Sequence, residues 1–160
     1  DRICANYIAQ YQPMAKDLRN LLMTFKINSD LERIGDLTVN ISQSALFILS
    51  HHCSGKIQNL PQLFNVAGEM LKDSIQAFLS EDSILAQNVC ARDESADHIR
   101  DEIFRTLTEE MTQDSRMVEC ALHYMRIARN LEKIADVSTN ICEETVFLAE
   151  GKTIKHHSQN

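Results

Sequence analysis

The sequence predicts an all-α protein, and three observations carry that prediction. Apolar residues recur every three or four positions over long stretches. Only four glycines and two prolines interrupt 160 residues, too few turn formers for a chain of many short strands. No segment alternates apolar and polar residues as a half-buried strand would. The elements follow in order. From Met14 to Ser50 the apolar series runs Leu18, Leu21, Leu22, Phe25, Leu31, Ile34, Leu37, Ile41, Ala45 and Ile48, with Pro13 placed for a first helical turn. The stretch HHCSGKIQN (51–59) is a stop, its histidines in the last turn and Gly55 behind them. Pro61 opens a helix to about Leu79, and Ser80–Asp82 turns the chain. A third periodic segment spans Ser83 to about Thr112 through Leu85, Val89, Ala96, Ile99, Ile103, Leu107 and Met111. Asp114 or Ser115 can cap the last helix, which reaches Ala149 before Gly151, and KTIKHHSQN reads as a frayed tail. The methionines at 14, 23, 70, 111, 117 and 125 fall on apolar stripes and are expected in the core.

Bulk properties narrow the function. A hydrophobic fraction of 44% supports one sizeable core. A net charge of −7 and a pI near 5.3 set nucleic acid aside, because phosphate neutralisation asks for a basic surface. No run approaches the roughly 18 apolar residues of a membrane span. The five cysteines (4, 53, 90, 120 and 142) show no C-x-x-C rhythm, so reduced thiols in a cytoplasmic protein are expected.

The chain repeats itself. DLERIGDLTVNI (30–41) returns as NLEKIADVSTNI (130–141), identical at Leu31/Leu131, Glu32/Glu132, Ile34/Ile134, Asp36/Asp136, Asn40/Asn140 and Ile41/Ile141. The 100-residue offset also matches Leu22 with Leu122, Ile27 with Ile127 and Ile3 with Ile103. The second copy carries three helices, whereas the first carries the end of a middle helix (1–11) and a whole last one. Expected boundaries are therefore 1–55 for the C-terminal part of a first three-helix repeat, 56–152 for a complete second repeat, and 153–160 for a tail. The rest of the first repeat is expected upstream.

Glu32 and Asp36 are four apart, hence one turn apart on one helix face, and Glu132 and Asp136 repeat the pair. At 100° per residue the stripe turns away from Ile34, Leu37 and Ile41, which places it at solvent or a rim. Like charges one turn apart repel, so a use for them is implied; carboxylates at this spacing suit hard cations bound through oxygen. One helix offers too few ligands. Asp93 and Asp97, also four apart, supply a second acidic pair that an antiparallel neighbour can bring to Glu132 and Asp136. The plain alternative is a solvated acidic face neutralised by Arg33, Arg129 and Lys133.

Three stretches resemble the PhoU family: QPMAKDLR (12–19) followed by DLERIGD (30–36), VCARDESADHI (89–99), and ARNLEKIADVSTNICEETVFLAEGKTIKH (128–156). The resemblance implies two tandem three-helix bundles, the first incomplete at its N-terminus in this chain. It implies a multinuclear metal cluster, iron first with zinc or another divalent cation as alternative. Its ligands here would be Asp93, Asp97, Glu132 and Asp136, with Glu32 and Asp36 for an incomplete first site and Asn40 and Asn140 as weaker candidates. It implies a cytoplasmic, non-catalytic negative regulator of phosphate uptake and of the phosphate-starvation regulon. The implied partners are the ATPase subunit of the phosphate ABC transporter and a sensor histidine kinase. A homodimer is expected, with the membrane reached only through partners.

Two other classes compete. A di-iron carboxylate protein needs inward Glu-x-x-His pairs, and here Glu94–His98 and Glu119–His123 are both four apart. A metal-free helical adaptor would be indifferent to metal removal. His51, His52 and Cys53 fit a helix C-terminus better than a metal site, His123 reads as a packed or rim residue, and no glycine-rich phosphate loop is present.

Overall fold

In the computed structural model, which describes residues 2–53 and 57–150, the chain is entirely helical apart from short connections. The helices are α1 (Arg2–Tyr11), α2 (Ala15–Ser50), α3 (Leu60–Ser80), α4 (Ser83–Cys90), α5 (Asp93–Gln113) and α6 (Val118–Glu150). A single 3₁₀ turn, Ser115–Met117, leads into α6. Positions 54–56 and the expected tail at 153–160, with Gly55 and Gly151, lie outside the described residues.

The 100-residue repeat is visible as geometry. α2 covers 15–50, and the 3₁₀ turn with α6 covers 115–150. The two helices are antiparallel, because Lys26 pairs with Glu144 and Phe47 stacks on His123. Each pair sums to 170, so positions 35 and 135 come level with each other, and the two copies of the motif run past one another in opposite directions. Ala135 is fully buried there, whereas a Cβ added at Gly35 would meet nothing within 4 Å.

α6 is the hub. Tyr124, Ile127, Ala128, Leu131, Ile134, Ala135, Val137, Ser138, Ile141, Cys142, Thr145, Val146 and Leu148 are all buried, more than one helix face can hold. α2, α3, α4 and α5 all pack on it. The core is completed by Ile27, Ile34 and Leu37 of α2, Leu63, Ala67, Met70 and Ala77 of α3, Ala86 and Val89 of α4, and Ile99, Ile103 and Leu107 of α5.

Several local expectations are corrected. Pro13 precedes α2 instead of opening it; Gln12 and Ala15, both at positive φ, shape the turn that reverses the chain there. The segment expected to run unbroken from Ser83 to Thr112 kinks at Ala91–Arg92. Both residues keep helical angles, so the axis bends without reversing. The bend coincides with Arg92 reaching α3, where its guanidinium binds Asp73 at 2.5 Å. Asp82 caps α4 by accepting from the N–H groups of Ile84 and Leu85, while Asp114 accepts from Arg116 and caps the 3₁₀ turn ahead of α6. Met70 is in the core, but Met14 is 81% exposed.

The cysteine expectation also fails. Cys53 and Cys120, 67 positions apart in sequence, form a disulfide with Cα atoms 5.8 Å apart. The partners come from the ends of antiparallel helices, so no short spacing could announce them.

Burial on α6 sets an expected mutational contrast. Ile141→Ala, at a fully buried site, should lower unfolding free energy by about 3 kcal/mol. Leu79→Ala, at a site 73% exposed, should change it by less than about 0.5 kcal/mol. Chemical denaturation of the two variants measures both.

Candidate metal centre

α5 and α6 are joined through the 3₁₀ turn and run antiparallel. Their register is given by two contacts. Thr139 Oγ1 donates to Asp93 Oδ1 at 3.2 Å, and Arg100 lies 4.0 Å from Glu132 Oε1. Each pair sums to 232, which puts Asp97 opposite Ala135 and Asp136. The two acidic pairs expected to meet thus share the seam but come level only through Asp97 and Asp136; Asp93 is level with Thr139 and Glu132 with Arg100. Helical spacing explains why: on α5, Ala96, Ile99 and Ile103 bury toward the core, and residues 93, 97 and 100 fall on the flank next to α6.

The seam is not the open rim expected for the acidic stripe. Asp93 is only 2% exposed, and the Glu132 side chain only 16%. Asp136 is half-buried, while Asn140 is exposed. Burial is the main force pushing the Glu132 carboxyl above the usual range. The Asp136 charge adds to it, Arg100 works against it, Asp97 adds again, and Lys133 opposes. Three carboxylates thus share one field.

Arg100 is the functional residue that sequence reasoning missed. Its guanidinium holds Asp97 at 2.9 Å and Asp101 at 3.2 Å as it approaches Glu132. The expected neutralisers were Arg33, Arg129 and Lys133; the i,i+3 spacing of Asp97 and Arg100 was the available signal. Thr139 was missed as well. It is buried, its hydroxyl bridging Asp93 and the Ala135 carbonyl.

The first copy behaves differently. Glu32, Asp36 and Asn40 are exposed on the side of α2 away from α6. Among the described residues, no group of three or more histidine, cysteine, aspartate or glutamate side chains stands close enough, as placed, to hold a metal ion. At the α5–α6 seam the donor set is right for a hard cation, with carboxylate and hydroxyl oxygens on facing helices. The positive charge now among those oxygens is the Arg100 guanidinium, so an ion would have to displace it from Glu132.

His51, His52 and Cys53 form no metal site. His51 caps α2 and stacks on Phe47 with ring centroids 3.8 Å apart, and His123 stacks on Phe47 at 3.7 Å. Burial, with help from Arg126, holds the His123 imidazole below its usual range, and the added charge of Glu119 only partly opposes this.

The PhoU domain model matches residues 1–45 and 60–145, both copies of the motif included. The chain belongs to the PhoU family. The phosphate-specific transport system accessory protein PhoU homolog 1 of Thermotoga maritima is 36% identical over 151 residues, covering 92% of this chain and 64% of that relative. The PhoU homolog of Aquifex aeolicus is 35% identical, covering 98% of this chain and 71% of its own length. The chain therefore spans about two thirds of the curated relatives it matches. The crystal structure of PhoU from Pseudomonas aeruginosa superposes with a TM-score of 0.92 at 29% identity, over 95% of this chain and 73% of that one. The PhoU fold expected from the sequence is thus present, and these relatives carry the names of accessory proteins of phosphate transport.

The buried carboxyl of Glu132 makes a pH prediction. Its folded-state pKa lies above its ordinary value of 4.5, so the folded chain holds the proton to higher pH than the unfolded chain. Stability is then lost as pH rises from about 4.5 through the raised value. In a chelator, Glu132→Gln should melt higher than the parent at pH 7, and the gap should close by about pH 4. Melting curves at the two pH values read this directly.

Proposed function

We propose that the whole protein is a non-catalytic regulator of phosphate uptake. On this reading it relays the state of the phosphate ABC transporter to a sensor histidine kinase and keeps the phosphate-starvation regulon off when phosphate is plentiful. The observation that carries the reading is the family match through both halves of the chain, to relatives named as accessory proteins of the phosphate-specific transport system. The protein would work in the cytoplasm, as a homodimer, and reach the membrane through the transporter's ATPase subunit. No helix among the described residues is long and apolar enough to cross a membrane, in keeping with that route. Residues 1–55 would belong to one three-helix repeat and 56–152 would form a second.

In this reading Asp93, Asp97, Glu132 and Asp136 hold a metal cluster, iron first and zinc or another divalent cation as alternative, and Glu32 and Asp36 belong to a second site. Support comes from oxygen donors facing one another across the α5–α6 seam. A bound cation would relieve the repulsion and desolvation that Glu132 now bears. The signal would pass through helical partner contacts; no glycine-rich cradle for phosphate is present in the sequence.

A metal-free adaptor is the second reading, favoured by the Arg100 guanidinium that already counters the carboxylates. Elemental analysis of the full-length protein as purified, beside a Glu132→Ala/Asp136→Ala variant, separates the two. The metal reading expects bound metal to fall by at least half in the variant. Equal content in both proteins sinks it and leaves the adaptor. Phosphate titration by calorimetry is expected to give no saturating isotherm; a saturating one would contradict signalling by partner contact alone.

A further inference from the structure

We propose that Cys53 and Cys120 are a reversible redox switch that locks the C-terminal end of α2 onto the N-terminal end of α6. Cys53 lies three residues beyond the end of α2 and Cys120 in the first turn of α6, their Cα atoms 5.8 Å apart at the disulfide. Both are half-buried, within reach of a small thiol, whereas Cys90 and Cys142 are 5% and 0% exposed. Thiol–disulfide exchange needs that access.

What the bond secures is the weak end of the α2–α6 interface. On α2 the last buried residue is Ser44, and on α6 the first is Ala121. Beyond those points Leu46, Leu49, Val118 and Leu122 are 66%, 71%, 39% and 53% exposed. What packs there is the His51–Phe47–His123 ring stack beside the partly buried Ala45, Ile48 and Met125. Little apolar area holds the helix ends together, so their docking depends on the covalent link. One turn further in lies an open apolar cleft lined by Ile41, Ala45, Ile57, Phe64, Tyr124 and Ile127, whose wall from α2 and α6 the link braces.

The chemistry balances with a small thiol of the glutathione class. Two such thiols supply two electrons and two protons; the Cys53–Cys120 bond breaks to two thiols, and the reductant leaves as its disulfide. Oxidised reductant drives the reverse.

The test uses the full chain equilibrated in buffers of increasing oxidised-to-reduced glutathione ratio. Free thiols are counted by alkylation and mass spectrometry, and backbone protection by hydrogen exchange. The count is expected to move between five and three, with Cys53 and Cys120 protected together and Cys4, Cys90 and Cys142 free. Amides of Phe47–Ser50 and Val118–Tyr124 should exchange at least about tenfold faster in the reduced state, with melting lowered by roughly 10 °C. Cys53→Ser and Cys120→Ser should match the reduced parent in every buffer, and Cys4→Ser should switch as the parent does. Five free thiols at every ratio would overturn the switch. So would a disulfide that forms without changing exchange at either helix end, or a Cys120 found paired only with Cys90 or Cys142.

Discussion

Everything in this structure depends on the burial of α6. A 33-residue helix that contacts four others keeps only a narrow stripe for charge, along which Glu119, Arg126, Arg129 and Asn140 stay exposed. Its sequence answers with small side chains: Ala128, Ala135, Ser138 and Cys142 are at or near zero exposure and let neighbouring backbones approach. The buried hydroxyls of Ser138 and Thr145 bond back to the carbonyls of Ile134 and Ile141, so burying them leaves no donor unsatisfied. Polar residues that remain on such a helix are confined to that stripe and to the seams beside it. Glu132 and Asp136 sit at one, against α5.

That placement gives the acidic pairs their physical interest. On an exposed helix, carboxylates a turn apart cost a few tenths of a kcal/mol and need no explanation. Here Asp93 is buried against Thr139, Glu132 is largely removed from water, and a guanidinium stands among them. An arrangement that penalises the charged form favours positive charge beside it, and the Arg100 guanidinium supplies that charge to Asp97 and Glu132. The same residues on α2, Glu32 and Asp36, meet no such neighbour among the described residues, and solvent screens them. One motif written twice thus has two different electrostatic lives.

The fold was largely legible. Apolar periodicity located every long helix, and the 100-residue repeat anticipated helices of equal register that turn out to run antiparallel with Gly35 level with Ala135. That Asp93, Asp97, Glu132 and Asp136 lie along one seam was readable because helical spacing and an antiparallel hairpin leave few alternatives; that Asp93 and Glu132 come level with Thr139 and Arg100 was not. What escaped reading was tertiary in origin. The kink at Ala91–Arg92 accompanies an ion pair with Asp73 of α3, a contact that local helical spacing does not announce. Arg100 acquires its place only once α6 is laid beside it. The pairing of Cys53 with Cys120 follows from the antiparallel run of α2 and α6, and reading the cysteines one by one gave the wrong redox state. The depth of the acidic seam was underestimated because helix geometry fixes a direction and not what another helix places there.

The most direct test of the proposal that the α5–α6 seam holds a cation is anomalous diffraction from crystals of the full-length protein grown from metal-loaded material. Data would be collected on both sides of the iron and zinc edges. The account predicts an anomalous peak between α5 and α6, within coordination distance of Asp97 and Glu132, with Arg100 turned away from Glu132. Arg100 still seated between Asp97 and Glu132, with no peak at the seam, would contradict it.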